Sequence, residues 1–381
     1  MDGPSGTLRL AALGLSLTTA ALPLLASAPG EAPASPPATA GAPGPPDADR
    51  RESEGGLASL LRGLSLSGFF DVTARDRRSE ENVFAIGNFE LDLARELGRN
   101  VQVAAALVVN DEGTELAVGF IDVHLLGGLV APRGRHPVEK GLHVQLGRFD
   151  VPFGNDWQLF AAKDRVEASA PLTTEELMDG GENDVGLRLL GNDGTFGYTL
   201  YALRGAGSGN AFGGRFSVAP FDVPFRFPPR VGLFEAGISL LHDVDGAGRT
   251  ERTAVALDLQ LRSGPVSLRG EFVRTDERPA ADRPGRSVRG GWHLTASVEA
   301  GEPVGGVVLT PYARYDSVDA ADDEADAAGR TARLTAGANA ALPGRFALKA
   351  EYRRTVDAPP AARGAGGPAR DAWLVQAVVS F

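Results

Sequence analysis

The chain has no cysteine, which excludes disulfide bonds, thiolate chemistry and a lipid anchor attached through a cysteine. Such a chain is compatible with transit through an oxidising periplasm. Beyond the N-terminal segment, the sequence also lacks any apolar run of about 18 residues, the length that a membrane-spanning helix needs. If this chain crosses a membrane, it must therefore do so as a closed β-barrel, because only that form pairs the backbone groups of strands in lipid.

Lysine is scarce as well, since Lys140, Lys163 and Lys349 are the only ones and arginine supplies nearly all of the positive charge. The formal net charge is -11 and the sequence pI is about 5.1. This balance argues against nucleic acid as a partner, because phosphate binding needs a clustered basic surface. The Gly-Gly pairs do not precede helical patterns, so no phosphate-cradling loop is indicated and no cofactor is predicted.

The N-terminal segment has the pattern of an export signal. Residues 8–25 are mostly apolar, and Ala26, Ser27 and Ala28 have the small side chains of a signal-peptidase site. We therefore predict a signal peptide over residues 1–28. Residues 29–63 are mainly Pro, Ala, Gly, Ser and charged residues without hydrophobic periodicity, which predicts a disordered leader. The remaining domain is residues 64–381.

The last ten residues alternate strictly between two faces, as a β-strand does. One face carries Trp373, Val375, Ala377, Val379 and Phe381. A terminal aromatic residue with another eight positions earlier suits a strand that places a ring at each membrane interface. Similar alternation recurs about sixteen times. The predicted strands are 64–75, 83–96, 101–112, 115–126, 141–149, 183–190, 196–206, 213–219, 233–243, 252–262, 266–274, 289–300, 307–317, 330–340, 346–355 and 372–381.

These segments predict an all-β fold, a transmembrane antiparallel barrel of about sixteen strands. A soluble sandwich would show the same period, but its strands are usually shorter, near five or six residues. With the C-terminus in the periplasm, most short connections fall inside and the long ones outside, which is the asymmetry of outer-membrane barrels. The connections 127–140 and 220–232 break this rule. We expect the protein in the outer membrane of a Gram-negative cell, in contact with lipid and lipopolysaccharide.

The longest connection, 150–182, is the third outer loop on this count. Its apolar side chains, such as Phe153 and Leu172, predict that it packs on the barrel interior and narrows it. It holds eight acidic and two basic residues, a net charge of -6, which favours cations. The wall strands carry both signs. The predicted constriction and pore-lining residues are Arg148, Asp150, Asp156, Lys163, Asp164, Arg165, Glu167, Arg188, Arg269, Arg314, Arg333 and Arg353.

Two short motifs flank this loop. Residues 147–154 read Gly-Arg-Phe-Asp-Val-Pro-Phe-Gly, and residues 183–191 read Asn-Asp-Val-Gly-Leu-Arg-Leu-Leu-Gly. They resemble the phosphate-selective porin family called O and P, with a likeness that extends from about Ser67 to Phe381. The resemblance implies a sixteen-stranded channel, usually a homotrimer, whose third loop folds inward and whose wall arginines and lysines conduct anions.

The remaining polar residues indicate no chemistry. The five histidines, His124, His136, His143, His242 and His293, show no metal-ligand spacing, so no metal site is predicted. The acidic run from Asp316 to Asp326 is typical of a solvated loop. No nucleophile motif is present, so we predict that the protein is not an enzyme.

The sequence thus favours a passive porin for small hydrophilic solutes or ions, with phosphate or other anions as a narrower expectation. Two alternatives stay open. One is a non-conducting structural or interaction barrel, whose lumen the third loop would block. The other is a barrel enzyme that acts on lipid esters through His293.

Overall fold

A computed structural model describes most of the chain after Arg62. Its described residues are 63–76, 84–127, 140–156, 161–178, 181, 183–205, 209–219, 223–226, 229–244, 250–279, 286–319, 329–357 and 371–381. The predicted signal peptide and nearly all of the predicted leader lie outside these residues, as does most of the acidic run up to Asp326.

The described chain is almost entirely β-structure. Its strands are β1 (Leu64–Asp76), β2 (Phe84–Glu96), β3 (Val101–Asn110), β4 (Gly113–Leu126), β5 (Gly141–Asp150), β6 (Asn183–Asn192), β7 (Phe196–Leu203), β8 (Asn210–Val218), β9 (Val223–Arg226), β10 (Pro229–Val244), β11 (Thr250–Ser263), β12 (Val266–Pro279), β13 (Ser287–Val298), β14 (Ala300–Val304), β15 (Val307–Asp319), β16 (Arg330–Leu342), β17 (Phe346–Asp357) and β18 (Asp371–Ser380). A single π-helical turn, Thr173–Leu177, lies between β5 and β6.

The strands form one closed antiparallel barrel. Each pairs with its neighbour along the chain, and β1 closes the ring by pairing with β18 from Phe69 opposite Ser380 to Asp76 opposite Trp373. Two short strands do not add to the circumference, because β9 pairs only with the first residues of β10 and β14 continues β13 beside β15. The barrel therefore has sixteen strands, which confirms the predicted fold class.

The two faces of the barrel wall differ in polarity. In β18, Trp373 and Val375 are exposed, whereas the side chain of Gln376 between the outward positions is buried. The same holds for β13, in which Trp292 and Leu294 are exposed and His293 is buried. Apolar side chains on the exposed face and polar ones on the buried face are the arrangement of a barrel that spans lipid.

Every predicted strand has a counterpart in the structure. The largest differences are at strand ends, where β10 begins four residues earlier and β12 extends five residues further than predicted. The connection 220–232, which broke the length rule, contains the small hairpin of β9 with the start of β10. Within the described chain, no helix has the length and apolar character needed to cross a membrane.

Candidate functional site

The segment between β5 and β6 packs against the buried face of the barrel wall. Its described residues are 151–156, 161–178 and 181. The apolar cluster of this contact joins loop side chains with wall side chains from β10, β11, β12 and β15. Its members include Val151, Phe153, Leu172, Leu177, Met178, Leu241, Ala254, Ala256, Val273 and Val318. Trp157 and Phe160, two further apolar residues of this connection, lie outside the described residues.

The loop backbone is held by two charged side chains of β17. Lys349 is fully buried, and its ammonium donates to the carbonyl oxygens of Ala162, Arg165 (2.6 Å) and Glu167 (3.2 Å). Two positions along the same face, the Glu351 carboxylate accepts hydrogen bonds from the backbone N–H groups of Ala168 and Ser169, both at 3.2 Å. Lys349 thus binds hydrogen-bond acceptors of the loop backbone, and Glu351 binds its donors. Both sets are charge-assisted hydrogen bonds.

Arginines on β15 and β16 continue this anchoring. Arg314 donates to the carbonyl oxygens of Ser169 (2.8 Å) and Ala170 (3.0 Å), and it pairs with Asp316 at 3.0 Å. Arg333 also donates to Ala170 O at 2.9 Å, and it forms an ion pair with Glu175 at 2.9 Å. Both arginines are therefore engaged with the loop.

Arg269 of β12 contacts two loop carboxylates. Its Nη2 lies 3.0 Å from Glu167 Oε1, and its Nε lies 3.6 Å from Asp156 Oδ1. Asp156 also accepts a 2.7 Å hydrogen bond from Thr174 and lies 3.8 Å from His293. Burial alone would raise the pKa of Glu167, but Arg269 and Arg314 hold that pKa below its ordinary value. The glutamate is therefore ionised at neutral pH.

The basic residues of the loop are paired in turn. Lys163 lies 3.2 Å from Asp92 of β2, with its ammonium 5.3 Å from the centre of the Phe69 ring. Arg165 donates to the carbonyl oxygens of Glu167 and Ala168. Asp164 lies in a turn, where its N–H donates to Ala161 O at 3.1 Å. The loop therefore reaches from β12 across to β2 on the polar face of the wall.

Arg353 is the least engaged of the predicted wall arginines. Its Nε lies 3.7 Å from Glu351 Oε1, and this nitrogen has no hydrogen-bond partner among the described residues. The side chain keeps 13% of its surface exposed. Arg353 is therefore the predicted wall arginine that has the fewest contacts with other described side chains.

Arg188 lies apart from this cluster, on β6. Its guanidinium donates through Nε to Gln145 Oε1 at 3.0 Å and through Nη1 to the carbonyl oxygen of Asp150 at 3.1 Å. It also stacks on Phe149, with 4.4 Å from Cζ to the ring centre. The residue is fully buried.

Arg148 lies on the other face of the wall from the polar side chains of β5. It is three residues along from Gln145 and shares its side of the strand with the exposed Leu146, two residues earlier. Its Nε donates to Asn183 Oδ1 at 3.0 Å. The structure does not bring Arg148 into the loop contact.

The sequence missed one prominent ion-pair cluster. Arg215 of β8 is buried between Asp258 of β11, at 2.7 Å, and Glu235 of β10, at 2.9 Å. Alternation gives the face of Arg215 within the predicted strand 213–219, but its ion-pair partners depend on the register with β10 and on the next strand, β11. Arg262 of β11, in contrast, has a side chain that is 44% exposed and pairs with Glu299 near a short turn.

Two of the histidines, for which the sequence showed no metal-ligand spacing, lie beside each other and beside an aspartate in the folded chain. His124 of β4 and His143 of β5 are register partners, and Oδ2 of Asp122, two residues before His124 on β4, lies 2.9 Å from His124 Nε2 and 3.2 Å from His143 Nδ1. The spacing along the sequence hides this cluster because the connection between the two strands is long, so the register could not be read from a turn.

The charge of the loop also differs from the sequence interpretation. Four of its described carboxylates, on Asp156, Glu167, Glu175 and Glu176, lie within 4 Å of wall arginines. The loop is strongly acidic when it is counted alone, but wall arginines pair with these four carboxylates. The contact surface is a mixed network of opposed charges rather than an acidic ring.

The fold and this network define a transmembrane β-barrel with a long loop bound to its polar wall. No protein-family model matches the sequence, and no curated protein matches it at a significant level.

Solved outer-membrane proteins share the fold. An anion-selective porin from Comamonas acidovorans has a TM-score of 0.56 at 15% identity, covering 84% of this chain and 99% of that one. OmpT of Vibrio cholerae, in its trimer form, has a TM-score of 0.58 at 9% identity, with coverages of 84% and 99%. OmpF of Salmonella typhi, in complex with daunomycin, has a TM-score of 0.53 at 10% identity, with coverages of 84% and 97%. At these identities the likeness shows the fold alone.

Proposed function

We propose that this chain is an outer-membrane porin, a passive diffusion channel for small hydrophilic solutes. The observation that carries this proposal is a closed sixteen-stranded barrel whose buried wall is charged and polar while its exposed wall is apolar. A barrel with a purely structural role could fill its interior with apolar side chains, as small barrels do. A charged interior is the lining that water and polar solutes require.

The constriction of this channel is the loop between β5 and β6, folded inward. Its contacts with β2, β12, β15, β16 and β17 support this placement, since these strands lie on different parts of the circumference. The ion pairs hold the loop against the polar face of the wall. The rest of the lumen is then available to solutes.

Anion selectivity, including passage of phosphate, is the narrower proposal. Its support is the resemblance to the phosphate-selective porins, together with the compensation of the loop carboxylates by wall arginines. The fold is also shared with a porin described as anion-selective. Arg353 beside the loop is the arginine that we assign to solute contact.

We also propose that the chain is exported through its signal peptide and inserts into the outer membrane as a homotrimer. The exposed apolar wall would contact lipid, and the long outer loops would contact lipopolysaccharide. A trimer form is described for OmpT, which shares this fold. Chemical crosslinking of the purified protein, read by mass, tests the trimer.

A non-conducting barrel is the second candidate. The side chains of Arg314 and Lys349 are almost completely buried where the loop and wall meet. If such packing extended across the whole lumen, the loop would close the barrel instead of narrowing it.

Planar-bilayer recording of the purified, refolded full chain separates these proposals. The porin predicts discrete conductance steps, and the blocked barrel predicts none. The reversal potential across a potassium chloride gradient then gives the charge preference. An anion-preferring potential with block by phosphate supports the narrower proposal, whereas a cation preference without block rejects it and keeps the general porin.

A further inference from the structure

We propose that Asp122, His124 and His143 form a binding site for one divalent transition-metal ion on the buried face of β4 and β5. This inference concerns the barrel wall and stands whether or not the barrel conducts.

The topology brings the three side chains together. Asp122 and His124 are two residues apart on β4, so they share a face of the strand. His143 on β5 is the direct register partner of His124. The two imidazole rings meet edge to face, with 4.8 Å between their centres. All three residues are buried.

The distances between the polar atoms match those between ligands of one metal ion. Asp122 Oδ2 lies 2.9 Å from His124 Nε2 and 3.2 Å from His143 Nδ1. Three ligand atoms, one from each residue, lie within 4.8 Å of one another. For a tetrahedral ion with bonds of about 2.0–2.1 Å, neighbouring ligand atoms are about 3.3 Å apart. Small side-chain rotations therefore suffice to close the site.

Hydrogen bonding alone does not account for the arrangement. The contact between His143 Nδ1 and Asp122 Oδ2 has the geometry of a hydrogen bond. His124 Nε2 is closer to the same oxygen, yet it forms no hydrogen bond with any described residue, and neither does Asp122 Oδ1. Buried polar atoms are usually satisfied by a partner. A metal ion bound by His124 Nε2 and the carboxylate would satisfy both.

Two amide side chains and one cation neighbour these ligands. Gln102 and Gln145 are the register partners of Asp122 on the two flanking strands. Arg188, a neighbouring cation, directs its guanidinium to Gln145 Oε1 and to the carbonyl oxygen of Asp150. Glycine at position 141 leaves room beside His143, because a Cβ there would lie 2.8 Å from Nε2.

The donor set indicates the class of metal. Two imidazole nitrogens and one carboxylate oxygen suit zinc, copper, nickel or cobalt ions, whereas magnesium and calcium favour sets of oxygen ligands. A divalent ion bound by one carboxylate and two neutral imidazoles gives the loaded site a net charge of +1.

Isothermal titration calorimetry tests the proposal. Zinc is titrated into the refolded full chain, which carries no affinity tag. We expect one zinc equivalent for the wild type and for the control His242→Ala, whose histidine instead contacts Thr253 on neighbouring strands. Loss of an outer-shell partner typically costs 10- to 100-fold in affinity, so Asp122→Asn, His124→Ala and His143→Ala should each weaken binding by at least about 100-fold. Absence of saturable binding to the wild type, or equal affinity in all variants, would overturn the proposal.

The wild type alone provides a second test if those variants do not fold. Added cobalt should develop a visible absorption band of nitrogen and oxygen coordination at one equivalent. Zinc should remove the band, and excess calcium should not. A cobalt spectrum identical to that of the aqueous ion would overturn the proposal without any substitution.

Discussion

Ser169 of the loop and Glu351 of β17 are hydrogen-bonded although 182 residues separate them along the chain. The Ser169 hydroxyl donates to Glu351 Oε1, and its backbone N–H donates to Oε2 at 3.2 Å. Arg314 then donates to the same hydroxyl oxygen at 2.9 Å. The position of the loop is thus fixed by strands that are synthesised long after it.

Lys349→Met should loosen the loop. The substitution removes the ammonium donor to three loop carbonyls, and hydrogen bonds to charged groups are each worth about 1.5–3 kcal/mol. Losing even one such bond should speed amide hydrogen exchange in residues 161–168 by at least about tenfold. Mass spectrometry of the refolded barrel provides the measurement. Lys140→Met, at an exposed site beyond the strands, is the matched control, and equal exchange in both variants would contradict the anchoring role.

Arg269→Met should shift the charge preference of the channel toward cations. The change leaves Glu167 and Asp156 without their nearest wall cation, so the negative potential at the loop rises. The reversal potential in a potassium chloride gradient provides the readout. Arg262→Met removes the same charge at an exposed position paired with Glu299 and should leave the potential nearly unchanged. If both variants shift it equally, the selectivity does not reside at the loop.

Asp193→Asn should remove a pH-dependent part of the stability. Backbone hydrogen bonds from Phe196 and Thr195 lower the pKa of Asp193 below its ordinary value of 3.8. Because the folded-state pKa is depressed, this stabilisation is fully present above the unfolded pKa. It is lost as the pH falls through the folded pKa.

Thermal unfolding of the two proteins between pH 6 and pH 2 measures this effect. The wild type should have the higher melting temperature at pH 6, since a carboxylate accepts these bonds more strongly than an amide. The difference between the two should narrow below about pH 3.8, near the reference pKa of an aspartate. A difference that is constant across this range would show that the Asp193 charge does not contribute.

Gly68→Ala should impair closure of the barrel. Gly68 and Phe381 exchange two backbone hydrogen bonds where β1 meets the end of β18, at 2.9 and 3.1 Å. An added Cβ at Gly68 would lie 2.1 Å from the carbonyl oxygen of Glu90 and 2.7 Å from the Phe381 ring. Overpacking of this kind costs about 1–3 kcal/mol.

The folded fraction after refolding, read from the heat-dependent mobility on an electrophoresis gel, provides the measurement. Gly290→Ala is the matched control, because its nearest neighbouring atom would be 3.8 Å from the new Cβ. It should fold as well as the wild type. A folded fraction of Gly68→Ala equal to that of the control would contradict the proposed crowding at the closure.

The strands were predictable because their signal is local. In β18, side chains alternate between the exposed face and the barrel interior. The period of two from Trp373 to Phe381 can therefore be recognised from the sequence alone. The same alternation predicts one shared wall face for Arg188, Arg314 and Lys349, and all three side chains are buried on it. Strand ends were less exact, since β12 stays paired with β11 as far as Pro279, five residues beyond its predicted end.

The loop could be recognised but its contacts could not. Its length and its apolar residues indicated packing, whereas its composition suggested a strongly acidic surface. The wall arginines that compensate Glu167 and Glu175 come from β12 and β16, more than 100 residues further along the chain. A charge count over the loop cannot include partners whose proximity depends on the curvature and closure of the barrel.

The sequence by itself thus determined the strand number, the polarity of the two wall faces and the presence of a long connection between the fifth and sixth strands. These properties depend on alternation and spacing within single segments. Only the tertiary structure decided which charges meet, that His124 faces His143, and that Ser169 reaches Glu351. Those pairs depend on strand register and on the closed ring, because a shift of one residue between two strands would move every side chain to the opposite face.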